Sequence, residues 1–182
     1  WFLQLEHQQL RQRALEEIDR TQFVPPWGRN RIYGMIEKRP DWCLSRQRIW
    51  GTPIPIPFCV ACEEPVVDPA AMEHAADLFT REGADAWFAR PIEELVPAGL
   101  SCPKCGGTKL RKDNSIVDVW FESGVSWLAV CAADPTLGQP VDLYLEGSDQ
   151  HRGWFHSSLL VASMMDGVPP YRALLTHGFV ID

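Results

Sequence analysis

The last third of the chain alternates short apolar runs with a helical pattern. Apolar residues dominate Val141 to Leu145 and Ala173 to Thr176, and both runs have the length of a strand. Between them, apolar residues recur at helical spacing, namely Phe155, Leu159, Leu160 and Met164. Gly167 and the Pro169-Pro170 pair predict the end of that helix. Strand, helix and strand in this order predict a right-handed βαβ unit in an α/β fold, with a first strand buried in a parallel sheet.

A polar turn follows the first predicted strand, and its side chains are Glu146, Asp149, Gln150 and His151. Ligands bind βαβ units outside the carboxyl ends of the strands, so this turn predicts a ligand site. The residues alone leave an alternative open, because Glu146 and Asp149 could instead cap the helix that starts near Gly153. Trp154 could likewise be a core residue and nothing more.

The first half of the chain predicts two helices and an extended connector. Residues from about 3 to 19 fit an amphipathic helix, and a shorter helix is expected from about Gly28 to Glu37. Prolines alternate with other residues from Thr52 to Pro57, which excludes a helix or a central strand because each proline removes a backbone donor. From Cys59 to about Arg111, paired cysteines and short helical stretches predict a small inserted module.

Four cysteines form two Cys-x-x-Cys pairs, Cys59 with Cys62 and Cys102 with Cys105, and 39 residues separate the pairs. Each pair can place two thiolates about one tetrahedral ion. Zinc is the expected ion, and four sulfur ligands would make it structural because they close the coordination shell. Iron, a reduced metal-free form and disulfides are the alternatives, and a cytoplasmic location would disfavour the disulfides.

Composition and charge narrow the class of protein. No run of about eighteen apolar residues occurs, and the amino terminus has no cleavable apolar segment, so we expect a cytoplasmic protein with no membrane partner. The net charge is -7, yet six basic and only two acidic residues lie between Arg29 and Arg48. This basic patch is interleaved with Trp27, Trp42 and Trp50, which favours an RNA-contacting surface, while a solvated helix face is the alternative.

Several long motifs, in one order, resemble the class I isoleucyl-tRNA synthetase family. The segments are Arg39 to Gly51, Asp118 to Gly124, Leu145 to Phe155, and Leu175 to Val180. Leucyl and valyl relatives share the Asp-Trp and Ser-Arg-Gln elements of the first segment, whereas the string from Leu145 to Phe155 is similar to the isoleucyl branch. The resemblance covers nearly the whole chain.

The resemblance implies the second half of a Rossmann-like parallel sheet with a small inserted zinc-binding module. Residues 1–51 would be a helical return segment from the editing insertion and a basic connector. Residues 52–117 would be a zinc-bearing connective module, and residues 118–182 the second half of the Rossmann-like catalytic domain. The family activates isoleucine with ATP and magnesium and transfers it to tRNA, and the longer parent enzyme is expected to be monomeric.

The resemblance also implies a role for individual residues. The expected ligand residues are Glu146 and Gly147 in the adenylate pocket, Asp149 at the ribose hydroxyls, Gln150 at the amino acid, Trp120 and Trp154 as walls of the side-chain pocket, and His177 and Gly178 beside the adenine. The expected tRNA contacts are Arg29, Arg31, Arg46 and Arg48. No residue is assigned acid-base catalysis, because positioning and charge stabilisation can drive this chemistry.

Two family segments are missing from these 182 residues. They are the His-Ile-Gly-His-type signature and the Lys-Met-Ser-Lys-Ser-type loop, which would stabilise the reacting phosphates. Most of the editing domain is missing as well. We therefore predict that this chain alone cannot form aminoacyl-adenylate at a useful rate. Two other functions stay open: a non-catalytic, zinc-stabilised tRNA-binding module, and the same enzyme class with valine or leucine specificity.

Overall fold

The computed structural model describes residues 1–165 and 169–181. The strands are β1 (Phe2–Leu3), β2 (Gln22–Val24), β3 (Trp42–Cys43), β4 (Ser45–Arg46), β5 (Phe58–Cys59), β6 (Leu110–Arg111), β7 (Ile116–Val117), β8 (Val141–Gly147) and β9 (Tyr171–His177). The α-helices are α1 (Leu10–Arg20), α2 (Trp27–Glu37), α3 (Pro69–Glu82), α4 (Ala86–Ala89), α5 (Ile92–Leu95), α6 (Val119–Gly124) and α7 (Trp154–Met164). Shorter helical turns cover His7–Gln9, Trp127–Ala132 and Ser148–His151.

The chain divides into two compact units. Trp1–Leu44 and Asp118–Asp182 form the first, and Ser45–Val117 form the second, which is therefore an insertion in the sequence of the first. The insertion begins at Ser45 by this division. The functional boundaries expected at residues 51 and 117 remain a prediction.

A parallel sheet of three strands organises the first unit, in the order β2, β9, β8. Leu145 is paired with Leu175, and Gly147 is paired with His177, so β8 and β9 end side by side. Helix α7 connects these two strands, and the predicted βαβ unit is thereby confirmed. The helix ends at Met164, while Gly167, which was expected to stop it, lies outside the described residues.

Helix α7 runs through the core of the first unit. It is apolar around most of its circumference, and a helix of that kind is stable only when other elements surround it. Phe155, Leu159 and Leu160 are fully buried, and the α1 and α2 helices pack their own apolar faces into the same cluster. The hydroxyl of Tyr171 on β9 donates to the carbonyl of Phe155 at 2.9 Å, which ties the helix to the sheet.

Strand β8 is buried on one face only. Tyr144 points into the core, whereas Leu143 and Leu145, on the opposite face, are 45% and 51% exposed. The expectation of a strand buried on both faces is therefore wrong for the described residues, because no described element covers Leu143 and Leu145 to the extent that α7 covers Tyr144.

The first helix starts later than the apolar pattern predicted. The segment before Leu10 contains β1, which pairs with β3, and a short turn in which Gln8 and Gln9 have positive φ angles of 48° and 57°. Leu5 is fully buried, and its backbone N–H donates to the Asp41 carboxylate at 2.9 Å. The chain therefore enters α1 through a strand and a turn that the local apolar pattern did not predict, and the bond from Leu5 to Asp41 ties this segment to a residue far along the chain. The second helix, by contrast, lies within one residue of its predicted start.

The second unit consists of two small antiparallel strand pairs and three helices. Strand β4 pairs with β7, and β5 pairs with β6. Helix α3 begins at a well-formed cap, where the Asp68 carboxylate accepts from the N–H of Ala71 at 2.9 Å. Residues 52–57 are extended and outside any strand, as the alternating prolines predicted, although Pro53 bridges to Ile116. Across residues 1–165 and 169–181, no helix is long and apolar enough to cross a membrane.

Candidate ligand and metal sites

The turn after β8 brings three of the expected ligand residues together. Gly147 ends the strand, and a side chain at this position would meet the Asp149 carboxylate at 2.8 Å and the His177 ring at 3.8 Å. The absence of a side chain thus lets the Asp149 carboxylate fold back over the strand end. Glu146, beside it, is exposed and lies opposite Thr176 in the strand pairing. The carboxyl edge of β8 and β9 therefore carries two exposed carboxylates and an imidazole.

Gln150 links this edge to the start of α7. Its side-chain oxygen accepts from the backbone N–H of Trp154 at 2.8 Å, and its amide donates to Asp149 at 3.0 Å. The cap of α7 is therefore supplied by Gln150, and the alternative that Glu146 or Asp149 caps this helix is wrong. The same side chain fixes the direction of the Asp149 carboxylate.

The two tryptophans expected to line a pocket meet at Gly153. The Trp154 ring stacks on Tyr144 with centroids 3.9 Å apart, and its N–H donates to Ser126 at 2.9 Å. Trp120 lies on α6, which Asp118 caps by accepting from the Trp120 N–H at 3.1 Å. Trp120 is 43% exposed, and its ring edge would touch a side chain placed on Gly153 at 2.9 Å. Trp154 is thus held rigidly, while Trp120 presents an open indole face.

The remaining expected ligand residues are His177, which ends β9, and Gly178, which follows it. His177 is exposed, and its Nδ1 lies 2.7 Å from the carbonyl oxygen of Gly178, which requires the nitrogen to donate. Gly178 has no atom within 4 Å of the place where a side chain would begin. The structure therefore gathers the predicted ligand residues along one edge of the sheet and the adjoining ends of α6 and α7.

Two histidines behind this edge, His151 and His156, are buried. Burial lowers the pKa of His156 to about 3, and the nearby Arg39 and Arg152 charges lower it further. Burial also lowers the pKa of His151, and Arg31 acts in the same direction. The sequence did not predict the burial of these two rings, because nothing in their local pattern reveals it.

The tryptophans of the basic patch have three different environments. Trp42 is buried and donates to the Asp118 carboxylate at 2.9 Å, and Trp27 rests against the His151 ring at a centroid distance of 5.6 Å. Trp50 alone among the three is almost fully exposed, at 86%. Interleaving with cations in the sequence therefore corresponds to a widely open aromatic surface at Trp50, to a half-exposed ring at Trp27 and to a buried one at Trp42.

The arginines of the patch belong to different units. Arg29 and Arg31 lie on α2 in the first unit, and Arg29 forms an ion pair with Asp19. Arg46 and Arg48 lie in the second unit, where Arg48 is exposed and donates to the carbonyl of Gln47 at 3.1 Å. The role of all four as tRNA contacts remains a prediction.

The four cysteines of the second unit form one cluster. Their sulfur atoms all lie within 4.8 Å of one another, and none is in a disulfide. Cys59 and Cys105 are 3.5 Å apart between sulfurs, and Cys62 and Cys102 are 3.6 Å apart. A tetrahedral zinc site with bonds of about 2.3 Å has sulfurs about 3.8 Å apart, so the spacing fits zinc. The cluster can hold a metal ion.

Two similar backbone turns build this cluster. The N–H of Glu63 donates to the carbonyl of Cys59 at 3.0 Å, and the N–H of Gly106 donates to that of Cys102 at 2.8 Å. Glu63 and Gly106 both have positive φ, of 59° and 73°, which favours glycine at the second position. Each Cys-x-x-Cys pair therefore forms the local knuckle that its spacing predicted.

The thiols differ in acidity. The backbone N–H of Cys62 stabilises the Cys59 thiolate, and the pKa of Cys59 falls to about 7 despite burial. The N–H of Glu64 acts in the same way on Cys62, but burial and the other three thiols outweigh it and raise the pKa of Cys62 to about 12. Four adjacent thiolates repel one another, and a bound cation is the usual means of stabilising them.

A parallel sheet with a polar turn at its carboxyl edge, together with an inserted cysteine cluster, is the arrangement expected of a class I synthetase core. The family model described as tRNA synthetases class I (I, L, M and V) matches residues 1–182. The chain belongs to this family.

Within the family, the chain is similar in sequence to isoleucine-tRNA ligases. It is 57% identical to that of Geobacter sulfurreducens, 53% identical to that of Syntrophotalea carbinolica and 50% identical to that of Thermotoga maritima, in each case over 182 residues. Each match covers 100% of this chain and 20% of the relative, so the chain spans about a fifth of their length. A solved LeuRS from Agrobacterium radiobacter, in a complex with tRNA and LeuAMS, has a TM-score of 0.48 and 22% identity over 83% of this chain and 22% of that one.

Proposed function

We propose that this chain is part of an isoleucine-tRNA ligase that activates isoleucine with ATP and magnesium and transfers it to tRNA. The observation that carries the proposal is the identity of 57% to a curated isoleucine-tRNA ligase, which extends over every residue of the chain. Relatives with valine or leucine specificity are the alternative within the same class. The parent enzyme would be a cytoplasmic monomer.

In this proposal the chain contributes binding and orientation. Asp149 accepts hydrogen bonds from the ribose hydroxyls, and Glu146 and Gly147 border the adenylate. Carboxylates suit this role because they accept from hydroxyl and ammonium groups. Gln150 lies between Asp149 and the start of α7, and it borders the amino acid in the proposed site. Binding energy spent on alignment lowers the barrier to acyl transfer without an acid or a base from this chain.

The apolar and aromatic residues of the site complete the proposed pocket. Trp154 is held by Tyr144 and by Ser126, so it offers a fixed wall. Trp120 supplies the second, more exposed wall. Fixed walls discriminate an amino acid by shape, but one methylene changes binding only modestly, by about 1–3 kcal/mol. His177 and Gly178 would lie beside the adenine.

Binding of adenylate analogues by this chain tests the proposal. The non-hydrolysable isoleucyl-adenylate analogue should bind more tightly in calorimetry than the valyl and leucyl analogues. Asp149→Asn should weaken binding about tenfold or more, because a charged hydrogen-bond acceptor is lost. Asp142→Asn is the control, since Asp142 is an exposed carboxylate near the start of β8, outside the turn that carries Asp149. Equal loss in both variants, or no binding at all, would contradict the proposal. Isoleucine-dependent pyrophosphate exchange by the chain alone would instead contradict the predicted inactivity of this chain.

We also propose that Cys59, Cys62, Cys102 and Cys105 bind one structural zinc ion. Elemental analysis of the purified chain should give one zinc per molecule, and Cys102→Ser should lose it. Cys131→Ser is the control, because Cys131 lies outside the cluster. Chelation should increase amide hydrogen exchange from Cys59 to Arg111, since metal binding contributes directly to folding of such modules. Zinc retained by Cys102→Ser would contradict the assignment.

A tRNA-binding role has separate support in the exposed Arg48 and Trp50 of the second unit. If Arg48 contacts a phosphate, Arg48→Ala should reduce the slope of log affinity against log salt by about 0.7 to 0.9. Arg90→Ala is a suitable control, because Arg90 is already paired with Glu82 and Glu94. tRNA binding of this kind without binding of any adenylate analogue would favour the non-catalytic module over the ligase.

A further inference from the structure

His151 is enclosed behind the ligand turn and does not contact solvent. Its ring lies against Trp27 of α2 at a centroid distance of 5.6 Å and against Phe155 of α7 at 5.5 Å, edge to face. The third side is closed by Gly28, where a side chain would lie 3.0 Å from Nε2 of the ring. Two helices therefore hold the ring from three directions.

One nitrogen of this ring closes the turn. Nδ1 lies 2.9 Å from the carbonyl oxygen of Ser148, the first residue of the same turn. Because a carbonyl only accepts, Nδ1 carries the proton. The other nitrogen, Nε2, is buried and has no hydrogen-bond partner among the described residues. An apolar side chain would fill this space without an unpaired nitrogen, so the bond to Ser148 is the specific contribution of histidine.

The residues inside this closed turn are Asp149 and Gln150. Asp149 is oriented by the Gln150 amide, and Gln150 is oriented by the N–H of Trp154. The bond from His151 to Ser148 joins the two ends of the turn that carries both side chains. Loss of this hydrogen bond would therefore change the orientation of the Asp149 carboxylate and the Gln150 amide, even though His151 does not reach the sheet edge itself.

We propose that His151 is a positioning residue for adenylate binding, which holds Asp149 and Gln150 in the binding geometry before the ligand arrives. Gly28 contributes to the same positioning, because the absence of a side chain lets α2 approach the His151 ring. The inference rests on the proposed function, from which it takes the ligand. Preorganisation of this kind increases affinity by avoiding the cost of ordering the turn upon binding.

Two substitutions of His151 test the proposal, and each keeps one feature of the histidine side chain: its hydrogen-bond donor or its bulk. Asparagine places its amide near the position of Nδ1 and can still donate to Ser148, whereas leucine retains bulk without a donor. His151→Asn should bind the isoleucyl-adenylate analogue within about threefold of the wild type. His151→Leu should bind at least tenfold more weakly while keeping its melting temperature and zinc content. Equal affinity of the leucine variant and the wild type would overturn the proposal.

A second pair of variants separates binding from helix stability. Gly28→Ala places a methyl group against Nε2 and should weaken analogue binding at least fivefold, although alanine favours the helix. Gly34→Ala on the same helix is the matched control, because no atom lies within 4 Å of its added methyl group. It should leave binding unchanged. Equal effects of the two substitutions would contradict a specific role for the ring contact.

Nitrogen-15 spectra of histidine-labelled chain provide a readout that does not need the ligand. The His151 signals should show the neutral tautomer with the proton on Nδ1, and the Gly28→Ala variant should change them. The Nε2-protonated tautomer would overturn the proposal. If the wild type has the Nδ1 tautomer but binds no adenylate analogue, the proposed function fails, and the ligand role of His151 fails with it. If the wild type binds and His151→Leu binds equally well, only the positioning role fails.

Discussion

Two glycines in the ligand site are required by space. Gly147 has φ -68° and ψ 163°, a conformation that other residues adopt freely, so only the space around it requires glycine. A side chain on Gly147 would meet the Asp149 carboxylate, and one on Gly153 would meet the Gln150 amide oxygen and the Trp120 ring. The polar side chains of the turn therefore fold back over bare backbone, which shapes the site as much as the charges do.

At the residue scale, His156 predicts acid sensitivity. Its pKa is about 3 in the folded chain because of burial and two nearby arginines, against an ordinary value of 6.5. Between these values the unfolded chain binds one more proton than the folded chain. The free energy of unfolding should therefore fall as the pH is lowered below 6.5, by roughly 1.4 kcal/mol per pH unit from this group.

Denaturant titrations at pH 7 and pH 5 check this expectation. His156→Leu should lose most of the difference between the two pH values, because the group that titrates is removed. His7→Leu should keep the full difference, since His7 is exposed. Other acidic groups contribute equally to both variants. An unchanged pH dependence in His156→Leu would show that His156 is not the group responsible.

Local sequence patterns predicted the cluster of four cysteines correctly. They predicted the exposure of the tryptophan side chains poorly. A Cys-x-x-Cys knuckle forms within a few residues, so the pairing of Cys59 with Cys62 can be read from spacing. Trp42 was expected to join a cationic surface but is buried, because its N–H finds the Asp118 carboxylate 76 positions away in the chain. A partner so distant leaves no local signal. The individual ligand roles predicted for the turn remain untested.

At the scale of elements, the crossing of α6 and α7 depends on Gly124. A side chain there would lie 2.9 Å from the backbone oxygen of Ser157 on α7. Backbone cannot rotate away as a side chain can, so Gly124→Ala should force the helices apart and destabilise the chain by about 1–3 kcal/mol. Gly34→Ala, in the open interior of α2, should stabilise it by up to about 1 kcal/mol.

Thermal and denaturant unfolding of the two alanine variants measures this difference. Both glycines belong to helices of the first unit, so the two substitutions share a reference state. Opposite signs of the change in unfolding free energy are expected. A stabilising effect of Gly124→Ala would mean that the two helices are not closely packed at this point.

The elements themselves were predicted to different degrees. Strands β8 and β9 and helix α7 follow from apolar runs and helical spacing, although β8 leaves Leu143 and Leu145 about half exposed. The start of α1 was predicted wrongly, since the pairing of β1 with β3 and the bond from the Leu5 N–H to Asp41 hold the first residues outside a helix. Sequence spacing thus predicts periodic packing, while element ends depend on single bonds between distant residues.

At the scale of the whole molecule, residues 1–165 and 169–181 leave one face of the parallel sheet only partly covered, whereas parallel sheets are normally covered on both faces. Leu143 and Leu145 on β8 and Val24 on β2 are each between 42% and 51% exposed. The chain spans about a fifth of its isoleucine-tRNA ligase relatives. We therefore expect this apolar face, defined by Leu143, Leu145 and Val24, to be buried against other segments of the longer enzyme.

A pair of polar substitutions on this face should be tolerated in the 182-residue chain and should destabilise the full-length enzyme. In the 182-residue chain, Leu143→Gln with Leu145→Gln should improve solubility and change the melting temperature little, because both side chains are already about half exposed. In a full-length isoleucine-tRNA ligase that contains this segment, the same substitutions should lower the free energy of unfolding by about 2 kcal/mol or more, because the leucines lose burial and two amides lose water. Leu137→Gln, at 46% exposure and outside the sheet, is the control in both proteins. Equal tolerance of the double substitution in chain and full-length enzyme would show that the face stays open to solvent in both.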